Sequence, residues 1–196
     1  QDRFVLIAAS THRGEERRVL DAFNTLKKKY PQTLLVIVPR HPERFEEVYR
    51  LIINKGFTVS RRSKKEDVLS NINILLGDTM GELSFLYSVS DVAFVGGSLI
   101  DHGGQNLLEP AALSLPICSG PNLRNFQDIA NELERSKALF IIRNPSDLTD
   151  FFVKLIAMPE EMKSIGGASK SVFLNNRGAV SKINSLLDPR LSQLLN

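Results

Sequence analysis

The stretch FVLIAASTHRGEERRVLDAFNTLKKKYPQTLLVIVPR, residues 4–40, decides the fold class of this chain. It holds two short apolar runs, residues 4–10 and 34–38, with the length and composition of strands that are buried on both faces. Between them, residues 15–29 carry apolar side chains at helical spacing. A buried strand, an amphipathic helix and a second buried strand predict a β-α-β unit with parallel strands.

The same alternation continues along the chain. Further apolar runs predict five more strands, at 57–60, 72–77, 91–97, 116–120 and 138–142. From Pro145 onward we expect only helices, one of which carries an apolar stripe of Val180, Ile183 and Leu187. The predicted fold class is therefore α/β, a Rossmann-like parallel sheet with helices on both faces. We expect one domain over residues 1–196, with a helical tail from about residue 145.

The composition excludes several classes of protein. A chain of 196 residues with 42% hydrophobic and 24% charged residues is not disordered, collagen-like or a disulfide scaffold. The net charge of +3 suits an anionic ligand or an anionic membrane surface. The absence of tryptophan argues against a platform for nucleic-acid bases, so no nucleic acid is expected as a partner. The opening Gln1-Asp2-Arg3, without an initiator Met, leads us to expect a piece of a longer protein.

The expected fold also predicts where a ligand binds. In open parallel sheets the ligand lies in the crevice outside the carboxyl ends of the strands. Polar segments follow those ends here, at residues 10–16, 39–42, 77–82 and 96–110. The three histidines of the chain all fall in these segments, at His12, His41 and His102. We therefore expect the functional residues to come from these segments.

The segment GGSLIDHGGQNLLEP, residues 96–110, carries the strongest signal. Its two glycine pairs lie between a strand and a helix, where free amides and the positive end of the helix dipole suit a phosphate. Asn106 and Glu109 are three residues apart, so Glu109 can face the ligand and accept hydrogen bonds from ribose hydroxyls. The alternative is a capping box, in which the side chain of Asn106 caps the helix and that of Glu109 accepts from the backbone amide of Asn106.

Residues 77–83, GDTMGEL, allow both a binding and a structural interpretation. Backbone groups at this helix start can edge a base or a phosphate. Alternatively, Thr79 and Glu82 have the spacing of a capping box, and Gly81 only avoids a clash.

Arg40 follows the second predicted strand and is flanked by prolines at 39 and 42. A rigid loop holds a side chain at low entropic cost, and a guanidinium can bind phosphate through two hydrogen bonds. The alternative is a surface arginine at the start of a helix.

Other features have mainly structural interpretations. Glu15 and Glu16 suit the positive end of a helix dipole, and Cys118, inside a predicted strand, suits a buried apolar filler. The basic residues of 61–65 are typical of a solvated loop and can also face anionic lipid.

Histidines without a carboxylate at ligand spacing predict no metal site. The sequence holds no P-loop, GxGxxG or GxSxG motif.

Four motifs together resemble the Kdo (3-deoxy-D-manno-octulosonic acid) transferases of lipopolysaccharide synthesis: STHRGEE (10–16), PRHPERF (39–45), GDTMGEL (77–83) and FVGGSLIDHGGQNLLEP (94–110). The resemblance covers most of residues 4–135. It implies the GT-B glycosyltransferase fold of two Rossmann-like domains, with this chain as the carboxyl-terminal, donor-binding half. It also implies transfer of Kdo, with inversion and without a metal or other cofactor, from CMP-Kdo to a lipid A precursor. That reaction takes place at the cytoplasmic face of the bacterial inner membrane.

The resemblance places the acceptor site, the catalytic base and a membrane anchor in the amino-terminal half. The fragment alone is therefore expected to be inactive. For the donor, the resemblance implies nine binding residues: Pro39, Arg40, Met80, Gly81, Glu82, Leu83, Gly104, Asn106 and Glu109. In that assignment Arg40 is near the phosphate, residues 80–83 edge the cytidine, and the last three hold phosphate and ribose.

One position departs from the family pattern. Gln105 stands where the family usually has histidine, and glutamine cannot carry a positive charge. Two other functions stay open from the residues alone: a non-catalytic nucleotide-binding or interaction module, and the donor half of a GT-B transferase that uses a UDP-sugar.

Overall fold

A computed structural model describes residues 3–177, which build a seven-stranded, fully parallel sheet. The strands are β1 Val5–Thr11, β2 Leu34–Pro39, β3 Val59–Arg61, β4 Ile74–Leu76, β5 Val92–Val95, β6 Ile117–Ser119 and β7 Leu139–Ile141. Their order across the sheet is β3-β4-β2-β1-β5-β6-β7. The predicted α/β class is confirmed, and each strand overlaps a run that the sequence marks as buried.

Helices follow the strands in the expected alternation. They are α1 Glu15–Lys29, α2 Phe45–Asn54, α3 Leu83–Ser88, α4 Leu108–Ala112, α5 Gln127–Arg135, α6 Pro145–Ala157 and α7 Pro159–Arg177. The prediction that only helices follow Pro145 is confirmed as far as Arg177. The stripe of Val180, Ile183 and Leu187 lies outside the described residues. Among the residues described, no helix combines the length and apolar composition that a membrane crossing requires.

The core lies on both faces of the sheet because successive strand residues point in opposite directions. In β1, Leu6 and Ala8 join the apolar cluster that includes α1, α2 and α6. Ile7 and Ala9 join the cluster on the other face, with residues of α3. Cys118 of β6 is fully buried in the core, and burial raises the pKa of its thiol, so the predicted filler role is confirmed.

The strand order reverses between β1 and β5, and this switch point forms the crevice. Ser10 forms a bulge at the end of β1, with a left-handed φ of 52°. Gly96 lets the end of β5 approach it: a Cβ there would lie 2.7 Å from the Ser10 carbonyl oxygen. The two strand ends therefore meet closely at the place where ligands bind in this class of fold.

Candidate functional site

A cleft of about 260 Å³ opens at the carboxyl ends of the central strands. All four polar segments contribute to its lining, which consists of Ser10, Val38, Pro39, Arg40, Thr79, Met80, Gly81, Leu83, Tyr87, Gln105, Asn106 and Glu109. The structure thus brings together seven of the nine residues expected at a donor site. The other two, Glu82 and Gly104, lie outside the lining, and their contacts explain why.

Glu82 is used by a neighbouring loop rather than by the cleft. Its carboxylate accepts hydrogen bonds from the guanidinium of Arg62, the shortest at 2.7 Å, and from the hydroxyl of Thr79. These bonds, the Arg62 contact first, hold the pKa of Glu82 below its ordinary value. In a capping box each side chain would bond to a backbone amide, but here the hydroxyl of Thr79 donates to the side chain of Glu82. Helix α3 begins at Leu83, and no side chain caps its start. The alternative of a capping box is therefore wrong, and the expectation that Glu82 edges the cytidine stays a prediction, since Glu82 lies between two lining residues but is not itself in the lining.

Gly104 is committed to the fold in a similar way. Its backbone amide donates to the carbonyl oxygen of Gly97 at 2.8 Å, which folds the glycine segment back on itself. Its φ of 81° is in the left-handed region, and a Cβ there would meet the side chain of Leu123 at 2.7 Å. The expected phosphate-binding amide is therefore occupied. Within residues 3–177, the amides of Gln105 and Asn106 have no protein acceptor.

Asn106 sets both the start of α4 and the position of Glu109. Its side-chain oxygen accepts from the amide of Leu108 at 3.0 Å, and its amide nitrogen donates to the Glu109 carboxylate at 3.1 Å. A capping box would need Glu109 to accept from the backbone of the cap, and the cap of α4 is Leu107. The capping-box alternative is wrong here too. The second oxygen of Glu109 is left for a ligand in the cleft.

Arg40 and Tyr87 lie on the lining between these segments. The Arg40 amide donates to the carbonyl of Thr11 at 3.0 Å, while its side chain is exposed and has no ion-pair partner among the described residues. Tyr87 is buried, and burial, together with the negative charge of Glu109, raises the pKa of its hydroxyl. The sequence analysis missed Tyr87, although its place one helical turn after Leu83 could have indicated it.

Glu15 is a second residue whose role the sequence did not reveal. Its fully buried carboxylate accepts four backbone hydrogen bonds: from His12 at 2.9 Å, Gly97 at 2.7 Å, Ser98 at 3.0 Å and Leu99 at 2.9 Å. The predicted structural interpretation is confirmed, and these four amides add to the effect of the helix dipole. Glu15 ties the glycine segment to the start of α1 and so shapes the cleft wall.

Glu16 and two arginines of the basic loop are held in ion pairs. Glu16 binds the guanidinium of Arg44 at 2.5 Å, with both side chains buried. Arg61 pairs with Asp78 at 2.7 Å, and Arg62 pairs with Glu82. The loop of 61–65 is therefore less positive than its sequence indicates.

The three histidines lie together beside the cleft. The ring centroids of His12 and His102 are 4.0 Å apart, and those of His12 and His41 are 5.3 Å apart. Within residues 3–177, no group of three or more His, Cys, Asp or Glu side chains has an arrangement that could hold a metal ion.

Comparison with known proteins agrees with this geometry. A family model described as Glycosyl transferases group 1 matches residues 7–172. A 3-deoxy-D-manno-octulosonic acid transferase of Haemophilus influenzae is 41% identical over 194 residues, which are 98% of this chain and 45% of that protein. One from Bordetella pertussis is 33% identical over 190 residues, or 95% of this chain and 44% of that protein. The chain thus spans less than half the length of these two relatives.

A solved structure matches almost from end to end. It is the C-terminal CMP-Kdo binding domain of WaaA from Acinetobacter baumannii, at a TM-score of 0.84 and 35% sequence identity. The match covers 88% of this chain and 90% of that domain. The chain therefore belongs to the group 1 glycosyl transferase family, and within it is homologous to the 3-deoxy-D-manno-octulosonic acid transferases.

Proposed function

We propose that this chain is the donor-binding half of an inverting glycosyltransferase that moves Kdo from CMP-Kdo to a lipid A precursor. One observation carries the proposal: Arg40, Gly81 and Glu109, from three separate segments, line one cleft at the switch point of the sheet. The relatives support the choice of donor, since one is a CMP-Kdo binding domain and two are Kdo transferases.

The cleft offers a partner for each part of a cytidylate. The exposed guanidinium of Arg40 takes the phosphate, helped by the amides of Gln105 and Asn106. Glu109, oriented by Asn106, accepts the ribose hydroxyls. Met80, Gly81 and Leu83 edge the base. When the bond to the sugar breaks, negative charge grows on the leaving phosphate, and donors already in place stabilise it.

The remaining parts of the reaction belong to the complete transferase. We assign the catalytic base, the acceptor site and the membrane anchor to an amino-terminal half that faces this cleft. The whole enzyme then works at the cytoplasmic face of the inner membrane, where its acceptor lies. The exposed Lys64 and Lys65 suit the anionic lipid surface there.

Calorimetric titration of the 196-residue chain tests the donor site. CMP is expected to bind more tightly than UMP or AMP, and Glu109→Ala to weaken CMP by about tenfold or more, because a charged hydrogen-bond acceptor is lost. Glu134→Ala, an exposed glutamate of α5, is the matched control. Tighter binding of UMP would favour a UDP-sugar donor. No binding of any nucleotide would favour the interaction module and contradict the proposal.

Arg40→Ala in the complete transferase tests the role of the guanidinium. One preorganised donor to a developing negative charge is worth about 3–4 kcal/mol, so kcat is expected to fall by two to three orders of magnitude. Arg18→Ala, an exposed arginine on α1, should leave kcat unchanged. Unaltered turnover in Arg40→Ala would remove this residue from the mechanism.

A further inference from the structure

The histidine cluster, His12, His41 and His102, shares a wall with the nucleotide cleft. Gln105 lines the cleft, and its side-chain nitrogen lies 3.3 Å from Nε2 of His12. His41 directly follows Arg40, the residue that we assign to the phosphate. The cluster therefore adjoins the cleft through Gln105.

The protonation of His12 follows from its surroundings. The amide nitrogen of Gln105 donates, so Nε2 of His12 accepts and the ring proton lies on Nδ1. Burial, followed by the charge of His102, lowers the pKa of His12, while Glu15 acts in the opposite direction. His12 is therefore the buried, neutral member of the cluster. His41 beside it is partly exposed, and His102 is exposed.

The other charges around the cluster are largely occupied. Glu15 is held by four backbone amides, and Arg44 by Glu16 and Glu47. Asp101, next to His102, pairs with Arg124. Glu43 approaches His41 only to 4.0 Å and is 74% exposed. The nearest carboxylates are therefore Glu15, which is shared among four amides, and the exposed Glu43, and a bound anion would add a counter-ion for the imidazoles.

We propose that His12, His41 and His102 form a subsite for the carboxylate of the donor sugar, beside the nucleotide cleft. The proposal rests on the proposed function and names the part of the donor that the cleft itself does not hold. An ulosonic acid such as Kdo carries its carboxylate on the same carbon that bonds to the phosphate. The two anionic groups are therefore neighbours, as Arg40 and His41 are on the chain.

Binding of an anion favours protonated imidazole, so the affinity for a sugar-acid donor rises as pH falls. If one imidazole pKa rises by about one unit in the complex, affinity increases about fivefold between pH 8 and pH 6. The methyl ester of CMP, which lacks the carboxylate, should not show this increase. It is the control because its phosphodiester, like that of CMP-Kdo, does not titrate between pH 6 and pH 8, whereas the monoester phosphate of CMP does. The ratio of the two affinities at each pH thus isolates the subsite from the nucleotide cleft.

The experiment uses NMR, because the chain has three histidines and all of them are in the cluster. Imidazole signals of the tag-free 196-residue chain are titrated with pH in the presence of the methyl ester of CMP, of freshly added CMP-Kdo, and of CMP plus free Kdo. The last arm accounts for hydrolysis of the donor. The expected result is an imidazole pKa that is higher with CMP-Kdo than in either of the other two arms.

Variants separate the charge of the subsite from its shape. His102→Asn at the exposed member is expected to reduce CMP-Kdo affinity at pH 6 about fivefold and leave CMP affinity unchanged. His102→Lys keeps a positive charge and is expected to retain the affinity at pH 8, with a flatter pH dependence. Equal pH profiles for the methyl ester of CMP and for CMP-Kdo in the unmodified chain would overturn the subsite while the donor site stands. Failure of CMP itself to bind would overturn both.

Discussion

At the scale of single residues, Glu15 has the largest influence on the shape of the cleft. It lies more than 80 positions before Gly97, Ser98 and Leu99 in the chain, yet its carboxylate accepts their amides. Gly97 in turn accepts from Gly104, so the whole glycine segment depends on this side chain. Four charged hydrogen bonds on one buried group explain how a loop rich in glycine keeps one conformation.

Glu15→Gln is expected to lower the free energy of unfolding by about 3 kcal/mol. Glutamine replaces one acceptor oxygen with a donor, which faces backbone amides that also donate. Urea denaturation followed by circular dichroism measures the loss. Glu134→Gln, exposed on α5, should change stability by less than about 0.5 kcal/mol. Equal stabilities of the two variants would show that these hydrogen bonds contribute nothing.

At the scale of elements, two adjacent glycines of α7 have opposite surroundings. A Cβ on Gly166 would lie 2.0 Å from the carbonyl oxygen of Ser114, so α7 and the turn after α4 are in backbone contact there. A Cβ on Gly167 would meet no atom within 4 Å, because that position faces open space. The contact at Gly166 therefore fixes the helical tail against the sheet domain.

Alanine at these two positions should act with opposite signs. Gly166→Ala is expected to destabilise the chain by about 3 kcal/mol, because α7 must move away from α4. Gly167→Ala is expected to stabilise it by about 0.5–1 kcal/mol, since alanine restricts the unfolded chain and favours helix. Thermal unfolding of the two variants side by side measures the difference. Destabilisation by both would indicate that the packing of α7 differs from the structure.

Asp78, two residues after the end of β4, joins that strand to the basic loop. Its carboxylate accepts from the hydroxyl of Ser63 at 2.6 Å, from the Ser63 amide at 2.8 Å and from Arg61 at 2.7 Å. Burial raises the pKa of Asp78, but these bonds together outweigh it and hold the pKa below the ordinary value of 3.8. This loop borders Thr79, so the same contact supports one wall of the cleft.

The depressed pKa of Asp78 gives the pH dependence a definite sign. Its contribution to stability is fully present above the unfolded value of 3.8 and is lost as pH falls through the lower folded value. Asp78→Asn is therefore expected to be less stable than the parent at neutral pH and to lose less stability on acidification. Urea midpoints measured from about pH 6 down to pH 2 test this. Parallel acid profiles for both proteins would contradict the assignment.

At the scale of the whole molecule, the cleft to which we assign the nucleotide lies within this chain, and we assign the acceptor and base to another domain. We therefore expect the 196-residue chain to bind CMP without transferring Kdo. At a hundredfold excess over Kd, CMP should stabilise the chain by about 2.7 kcal/mol and raise Tm by roughly 5–10 °C. A radiolabelled donor assay should detect no product. Product formation by this chain alone would show that the base lies within it.

The sequence by itself determined the α/β class, the seven strands and the segments that line the cleft. These features follow from local patterns: a buried strand is a short apolar run, and the carboxyl ends of parallel strands share one edge. The bounds of the short helix α4, Leu108–Ala112, do not follow from such patterns. Pro110 and the side chain of Asn106 define that short helix, and neither effect appears in a hydrophobic pattern.

Only the tertiary structure decided which polar groups face a ligand and which serve the fold. The guanidinium of Arg62 binds the carboxylate of Glu82, 20 residues away. The carbonyl oxygen of Gly97 accepts from the amide of Gly104 because the loop folds back on itself. Glu15 and the histidine cluster join segments more than 80 positions apart in the chain. Spacing along a chain reports neighbours within a helix or strand, whereas these contacts depend on how strand ends are brought together across the sheet.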